Sequence, residues 1–399
     1  MTKKQRFFNI LAIYTVAFLQ MGGAGLSPVM AKLGEAFPNA GAGAIQLVMT
    51  IPSLFVVLTN LVTGWLMAKF PKKYITAVGC GLAVLFAVLG CFVNSSLTIL
   101  YVWAAVLGIG TSLSCTVSPQ ILNEMFEPEE RMALQGTRTA ASSVGTMLMT
   151  FIGGFLVAKN WKYGFLVYLV MVPGLLLSLF AHPKETRLAS DVNTAEAQEK
   201  PMQVKALIFP CIAGLAASFI YSCAMTNNSM LVAELGTKGL LGGADPSVLG
   251  GYLTTIILVV GFVIGLLVAP ISKKIGLQCI SLGFVLLTAG YVVIFFAQSF
   301  WMLVVAAILM GGALNCVMPH VTILGSEAGG SKAGLSLSIA LGAANLGTLI
   351  SAVIPSLTAA IFHTEEVRYR YLFSAILALV VAVCFIVYLA RKPKAQKAA

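Results

Sequence analysis

Long apolar runs separated by short polar segments recur along the whole chain. Crossing the hydrocarbon core of a bilayer as an α-helix takes roughly 20 residues. Twelve runs have that character, at 7–29, 44–66, 75–93, 97–119, 134–158, 163–181, 206–229, 248–270, 277–297, 301–323, 333–361 and 370–390. The alternating polarity of membrane β-barrel strands does not occur. The pattern therefore predicts an all-α membrane protein.

The longest polar connection lies in the middle of the chain, between the sixth and seventh runs. Residues 182–205 carry eight charged side chains. We therefore predict a cytoplasmic linker here, joining one six-helix bundle at 1–181 to a second at 206–399.

A glycine-led motif supports this division because it occurs once in each half. The segment from Gly64 to Lys73 is echoed by the segment from Gly265 to Lys274, with one offset of 201 positions. Each glycine ends an apolar run, and a lysine pair follows. Repeated helical halves that meet in a membrane are a common architecture of secondary transporters.

Composition and charge agree with a lipid-solvated chain. Hydrophobic residues make up 59% and charged residues 10%, and the net charge is +11. If the N-terminus lies inside, 19 of the 25 Lys and Arg residues fall on the cytoplasmic side. This bias predicts a multi-pass protein of the cytoplasmic membrane with both termini inside. The positive charge is then explained by the membrane topology and by attraction to the anionic inner leaflet, so no nucleic-acid partner is expected.

Several classes of enzyme are excluded by missing motifs. The sequence has no phosphate-cradling Gly-rich loop with its Lys, no H-E-x-x-H and no G-x-S-x-G. The eight cysteines include no C-x-x-C pair, which argues against disulfides and metal sites. We predict that the protein is not an enzyme and carries no cofactor.

The loop motif resembles the signature that follows the second helix of the major facilitator superfamily. Gly64, Leu66 and Lys69 match it in kind, as does the Lys72–Lys73 pair, while Ala68 stands where the family usually has an acid. The connection from Glu124 to Arg131 and the segments 160–165 and 370–373 also resemble the family.

The resemblance implies two six-helix bundles related by pseudo-two-fold symmetry, which rock around a midplane site by alternating access. It also assigns gating roles to loop residues in both halves. These are Gly64, Lys69, Lys72, Lys73, Glu124, Arg131, Gly265, Lys273 and Lys274.

Charged residues inside the spans are rare because burying charge in lipid is costly. No Asp or Glu falls inside a predicted span, which disfavours carboxylate-based proton antiport. Arg138, by contrast, lies one to two turns into the fifth helix. It is a candidate to attract an anionic solute. The alternatives are a salt bridge to Glu124 or Glu130, or snorkelling to the interface.

Neutral polar groups provide the other candidate binding residues. His320 could hydrogen-bond the solute or titrate during the transport cycle, or it could bond a carbonyl freed by Pro319. The remaining candidates lie near mid-membrane and are Gln20, Ser112, Ser114, Tyr221, Asn315 and Asn345. Each could instead hold helices together. Asn227 and Asn228 are expected at the outer, hydrated end of the seventh helix.

Together these features predict a monomeric secondary transporter of a small organic solute, with a coupling ion left open. An organic anion or a neutral amphipathic metabolite fits Arg138 and the lack of an embedded acid better than a cation does. A multidrug exporter is the alternative transporter. A membrane sensor or intramembrane enzyme is the alternative from another class.

Overall fold

A computed structural model describes residues 3–18, 29, 32–33, 36–38, 40, 42–181, 201–239 and 246–391. Regular structure in these ranges is helical throughout. Eleven stretches within them are long and apolar enough to cross a membrane. The first predicted span, 7–29, is described in part as helix α1. The prediction of an all-α membrane fold is confirmed.

The helices of the first half follow one another closely. They are α1 (Lys3–Ala17), α2 (Ala42–Lys69), α3 (Lys72–Phe92), α4 (Leu97–Met125), α5 (Pro128–Lys159) and α6, a 3₁₀ segment (Trp161–Val170) continued by an α-helix (Met171–Ala181).

The second half repeats this order. Its helices are α7 (Val204–Thr237), α8 (Pro246–Ile275), α9 (Gln278–Phe295), α10 (Phe300–Gly311 continued by Ala313–Glu327), α11 (Ala333–Ile350, a 3₁₀ turn Ser351–Val353 and Ile354–Phe362) and α12 (Val367–Arg391).

Several helices extend past the apolar runs that predicted them. α5 begins at Pro128 rather than 134, because proline suits the first helical position and Glu129 and Glu130 favour the positive helix N-terminus. α7 continues to Thr237, well beyond 229. Polar end turns of this kind carry no hydropathy signal.

The predicted linker is described only at its end. α7 begins at Val204, so the last two linker positions are helical. Residues 182–200 lie outside the described ranges, and the proposed boundaries of the halves stay a prediction.

Each half has its own hydrophobic core. The largest buried cluster uses residues of the second half alone, from Leu207 to Phe385. A separate cluster uses residues of the first half alone, from Val29 to Met171. This separation is what two packed six-helix bundles require.

The bundles meet through two symmetry-related helix pairs. α2 packs against α11, and α5 packs against α8. Both pairs approach closely near one end of the protein, which we call the basic end and define by Lys69, Lys72, Lys73, Lys273 and Lys274. The repeat glycines lie here: Gly64 faces Ser338 of α11, and Gly265 faces Gly136 of α5.

Candidate functional site

A small cavity lies between the two halves, at the level where α5 meets α8. Its walls come from α5 of the first half and from α7, α8 and α10 of the second. The polar lining residues are Thr139, Ser142, Ser143, Tyr221 and Asn315, and the others are Ile257, Leu258, Gly261, Gly311, Leu314 and Met318. The described lining carries no charged side chain, so the cavity is neutral and amphipathic.

Two of the predicted binding residues, Tyr221 and Asn315, lie in this cavity. Both side chains are buried, at 6% and 8% exposure. Neither makes a side-chain hydrogen bond to any residue that the structure describes. The Tyr221 hydroxyl and the Asn315 carboxamide are therefore available to a solute, since buried polar groups normally find a partner.

Hydroxyl residues of α5 form the opposite wall, and none of them was among the predicted binding residues. Thr139, Ser142 and Ser143 line the cavity, and Thr146 continues the same helix face at the i, i+3, i+4, i+7 spacing. Thr139 Oγ1 donates to the Gly136 carbonyl at 2.8 Å and Thr146 Oγ1 to that of Ser142 at 2.9 Å. These bonds use the hydroxyl protons, so the oxygens stay available as acceptors. The spacing alone could have identified this face.

Gly261 provides the space between the two walls. A Cβ at this position would lie 2.8 Å from Asn315 Nδ2 and 3.2 Å from Ser143 Oγ. Any larger side chain would push into the gap between these polar groups. Gly261 is thus a determinant of cavity width.

Arg138 lies on α5 next to Thr139 but is not one of the residues that line the cavity. Its side chain is 1% exposed. Its Nε donates to Gln135 Oε1 at 3.0 Å. Glu124 and Glu130, its alternative partners, bond instead to Lys72 and Arg6. The structure therefore places a buried guanidinium beside the cavity wall, with its Nε bonded to a neutral amide.

His320 joins α10 to α8 close to the basic end. Its Nδ1 donates to the Cys316 carbonyl at 2.9 Å, so in the neutral imidazole Nε2 accepts from Ser272 Oγ at 2.9 Å. The carbonyl it bonds is that of Cys316, whereas Pro319 frees the carbonyl of Asn315. His320 therefore bonds a carbonyl, as its structural alternative expected, but not the carbonyl that Pro319 frees, and its other nitrogen joins α10 to α8.

The remaining neutral candidates lie away from the cavity. Ser112 Oγ donates to Asn60 Oδ1 at 2.8 Å and so joins α4 to α2. Ser114 Oγ donates to the Gly110 carbonyl at 2.9 Å, and Asn345 Nδ2 donates to that of Leu341 at 2.9 Å. These contacts favour a packing role. Gln20 lies outside the described residues.

The residues to which the resemblance assigns gating roles lie at the basic end. Lys72 pairs with Glu124 at 2.8 Å, and Arg131 reaches Glu327 of the other half at 4.0 Å. The Lys69 ammonium lies over the Trp65 ring, 4.1 Å from its centroid.

Two amides of α4 also cross between the halves at this end. Asn123 Nδ2 donates to the Thr322 carbonyl at 3.1 Å. Gln120 Oε1 accepts from Ser326 Oγ at 2.9 Å. Together with the glycine contacts, these bonds close the basic end in this structure.

The expectation for Asn227 and Asn228 is wrong, because α7 continues for more than two turns beyond them. Both side chains are buried. Asn227 Oδ1 accepts from Arg370 at 2.7 Å, and Asn228 Oδ1 accepts from the Tyr371 hydroxyl at 3.0 Å. The pair therefore fastens α7 to α12 inside the second half.

Comparison with known proteins agrees with this architecture. A curated relative, Multidrug resistance protein D of Escherichia coli (strain K12), is 27% identical over 188 residues, which is 46% of this chain and 47% of the relative. The chain therefore matches about half the length of that relative.

Two solved structures share the fold over nearly the whole chain. The proton:xylose symporter XylE bound to 6-bromo-6-deoxy-D-glucose has a TM-score of 0.73 and 16% identity, covering 97% of each chain. A double Trp mutant of XylE has a TM-score of 0.74 and 15% identity, covering 96% of this chain and 95% of its own.

The profile of the Major Facilitator Superfamily matches residues 10–278 and 210–399, which together take in almost the entire sequence. The repeated halves, the basic-end motif and the cavity between the bundles all fit that match. The chain belongs to the Major Facilitator Superfamily.

Proposed function

We propose that this protein is a secondary transporter that moves a small organic anion or a neutral amphipathic metabolite by alternating access. The observation that carries the proposal is the neutral, amide- and hydroxyl-lined cavity between the two halves. A site at this position can be exposed to either side when the bundles rock.

The lining favours a solute that offers both hydrogen-bonding groups and an apolar part. Asn315 and Tyr221 provide donors, the α5 hydroxyls provide acceptors, and Leu258, Leu314 and Met318 provide apolar surface. This mixture suits an amphipathic metabolite. The described spans bury no carboxylate that would attract a cation.

Arg138 supports an anionic solute. A guanidinium that is 1% exposed carries a large desolvation cost, which an anion could offset by a charge-assisted bond. Solute entry would then draw the Arg138 side chain towards the cavity from its bond to Gln135.

The orientation and the assembly are part of the same proposal. The basic end faces the cytoplasm, both termini lie inside, and the protein works as a monomer in the cytoplasmic membrane. The glycine contacts close the basic end in this structure, so transport would require these interfaces to part.

Counterflow in proteoliposomes tests the proposal. Vesicles loaded with a monocarboxylate, a dicarboxylate, a sulfonate, a neutral amphipathic metabolite or a cation would each be assayed for uptake of the same labelled compound. We expect exchange of an anion or of the neutral metabolite. A folded protein that exchanges none of these would overturn the proposal, and a sensor or enzyme would give that result.

Two substitutions separate the contribution of the cavity shape to transport from that of the Arg138 charge. Gly261→Ala should reduce exchange of every solute by narrowing the gap between Asn315 and Ser143. Arg138→Ala should abolish anion exchange, while Arg391→Ala, at the exposed end of α12, should leave it unchanged. Unchanged anion exchange in Arg138→Ala would remove the argument for an anion.

Multidrug export is the second candidate, favoured by the match to Multidrug resistance protein D. It predicts that expression lowers drug susceptibility and that Gly261→Ala reverses the effect. Counterflow repeated under imposed pH and sodium gradients would identify a coupling ion.

A further inference from the structure

A chain of buried amides connects Arg138 to the opposite half of the protein. Arg138 Nε donates to Gln135 Oε1 at 3.0 Å. Gln135 Nε2 donates to Asn123 Oδ1 at 2.9 Å and to the Pro119 carbonyl at 3.1 Å. Asn123 Nδ2 then donates across the halves to the Thr322 carbonyl at 3.1 Å.

The four residues of this hydrogen-bonded series, three through their side chains and Thr322 through its carbonyl, are excluded from solvent. Arg138, Gln135, Asn123 and Thr322 have exposures of 1%, 0%, 4% and 0%. Water cannot readily replace a bond that is lost here, so breaking one link leaves a buried polar group without a partner.

The direction of every bond follows from the cation at one end. Arginine only donates, so Gln135 must present Oε1 to Arg138. Its Nε2 then faces Asn123, which must present Oδ1. Only Asn123 Nδ2 is left to face the Thr322 carbonyl. If either amide flipped, donors would face donors and acceptors would face acceptors.

A second polar chain reaches α10 one turn away but does not include Arg138. Glu124 accepts from Gln120 Nε2 at 2.6 Å and pairs with Lys72 at 2.8 Å. Gln120 Oε1 accepts from Ser326 Oγ at 2.9 Å. This second chain crosses the same interface and provides an internal control.

From this arrangement we propose that Gln135 is a positioning residue that couples Arg138 to the closed basic end. While the guanidinium is bonded to Gln135, the side-chain amides of Gln135 and Asn123 keep the orientation in which Asn123 bonds α4 to α10. When the guanidinium turns to an anionic solute, Gln135 and Asn123 are free to reorient and the bond to Thr322 is lost. The role given to the solute rests on the proposed function, whereas the coupling itself does not.

Distances across the basic end test the coupling without any solute. Spin labels at Glu129→Cys and Ser331→Cys, both exposed and on opposite halves, would be measured by double electron–electron resonance in nanodiscs. Cys384, the exposed native cysteine, would be replaced by Ser.

Arg138→Met removes the donor that fixes the orientation of the Gln135 and Asn123 amides. We expect the ratio of open to closed basic end to rise roughly tenfold, as for the loss of a hydrogen bond to a charged group. The rise should persist in a Gln120→Leu background and vanish in a Gln135→Leu background. No rise, or an equal rise in both backgrounds, overturns the proposal.

Asn123→Leu provides a second variant that leaves Arg138 intact, in case Arg138→Met does not fold. Leucine cannot donate to the Thr322 carbonyl, and Gln135 Nε2 keeps its bond to the Pro119 carbonyl, so the basic end should open and adding Gln135→Leu should change nothing more. An unchanged distance distribution overturns the coupling. Failure of anion counterflow with the coupling intact would count against the proposed solute alone.

Discussion

The α5–α8 and α2–α11 interfaces between the halves are related by the internal repeat but are built differently. At the α5–α8 interface glycine faces glycine, because Gly136 lies against Gly265. At the α2–α11 interface Gly64 lies against Ser338. A single offset relates Gly64 to Gly265, and a closely similar one relates Gly136 to Ser338.

The difference changes what limits the approach of the helices. A Cβ on Gly136 would meet the backbone carbonyl of Gly265, and a Cβ on Gly265 would lie 2.8 Å from the carbonyl of Gly136. A Cβ on Gly64 would lie 2.9 Å from both Cβ and Oγ of Ser338, and 3.0 Å from the Leu335 Cα. Backbone atoms have little room to move, whereas a serine hydroxyl can turn. The α5–α8 interface should therefore tolerate less change.

The largest effect should come from Gly136→Ala. Its Cβ forces α5 and α8 apart, and overpacking of this kind costs about 1–3 kcal/mol. The open fraction of the basic end should rise in the spin-label experiment, and transport should fall. Gly154→Ala on the same helix is the matched control, since a Cβ there meets nothing within 4 Å. Equal behaviour of the two variants would contradict the comparison.

How much of this could be predicted depends on the distance between the partners along the chain. The apolar runs predicted the spans, and the repeat predicted that Gly64 and Gly265 are equivalent, since both signals are local. The sequence does not show that Gly265 meets Gly136 or that Asn123 meets Thr322. Those contacts depend on how two separate bundles dock.

The candidate site was predicted only in part for a related reason. Tyr221 and Asn315 stood out as isolated polar residues in apolar runs. Thr139 and Ser143 did not, because small hydroxyl residues often bond their own helix and carry little hydropathy signal. Asn227 was assigned to water because the polar last turns of α7 hid the true end of the helix.

A middle-sized effect is expected at the α2–α11 interface. Gly64→Ala should cost about 1 kcal/mol and open the basic end less than Gly136→Ala does, because one of the two closest atoms is the Ser338 hydroxyl, which can turn away. Adding Ser338→Gly removes the two closest atoms and should restore the closed state. Within the described residues Ser338 Oγ has no hydrogen-bond partner, so its loss leaves nothing unpaired.

Gly81→Ala, where a Cβ meets nothing within 4 Å, is the control for this pair. If Ser338→Gly fails to rescue Gly64→Ala, the backbone of Leu335 rather than the serine limits the approach. The two interfaces would then be alike in their rigidity.

The smallest effect should come from the charges that follow each repeat glycine. Lys72 pairs with Glu124 in the first half, where the side chains are 17% and 30% exposed. In the second half the same offset makes Lys273 the counterpart of Lys72 and Gly325 the counterpart of Glu124, and Gly325 has no carboxylate. Lys72→Ala should lower the thermal stability by up to about 1 kcal/mol in low salt and by less in high salt. Lys273→Ala, at an exposed position, should change little in either condition. Thermal unfolding of both variants at two salt concentrations tests this difference. Equal losses of stability in the two variants would mean that the lysines act through membrane-surface charge instead of through the Lys72–Glu124 pair.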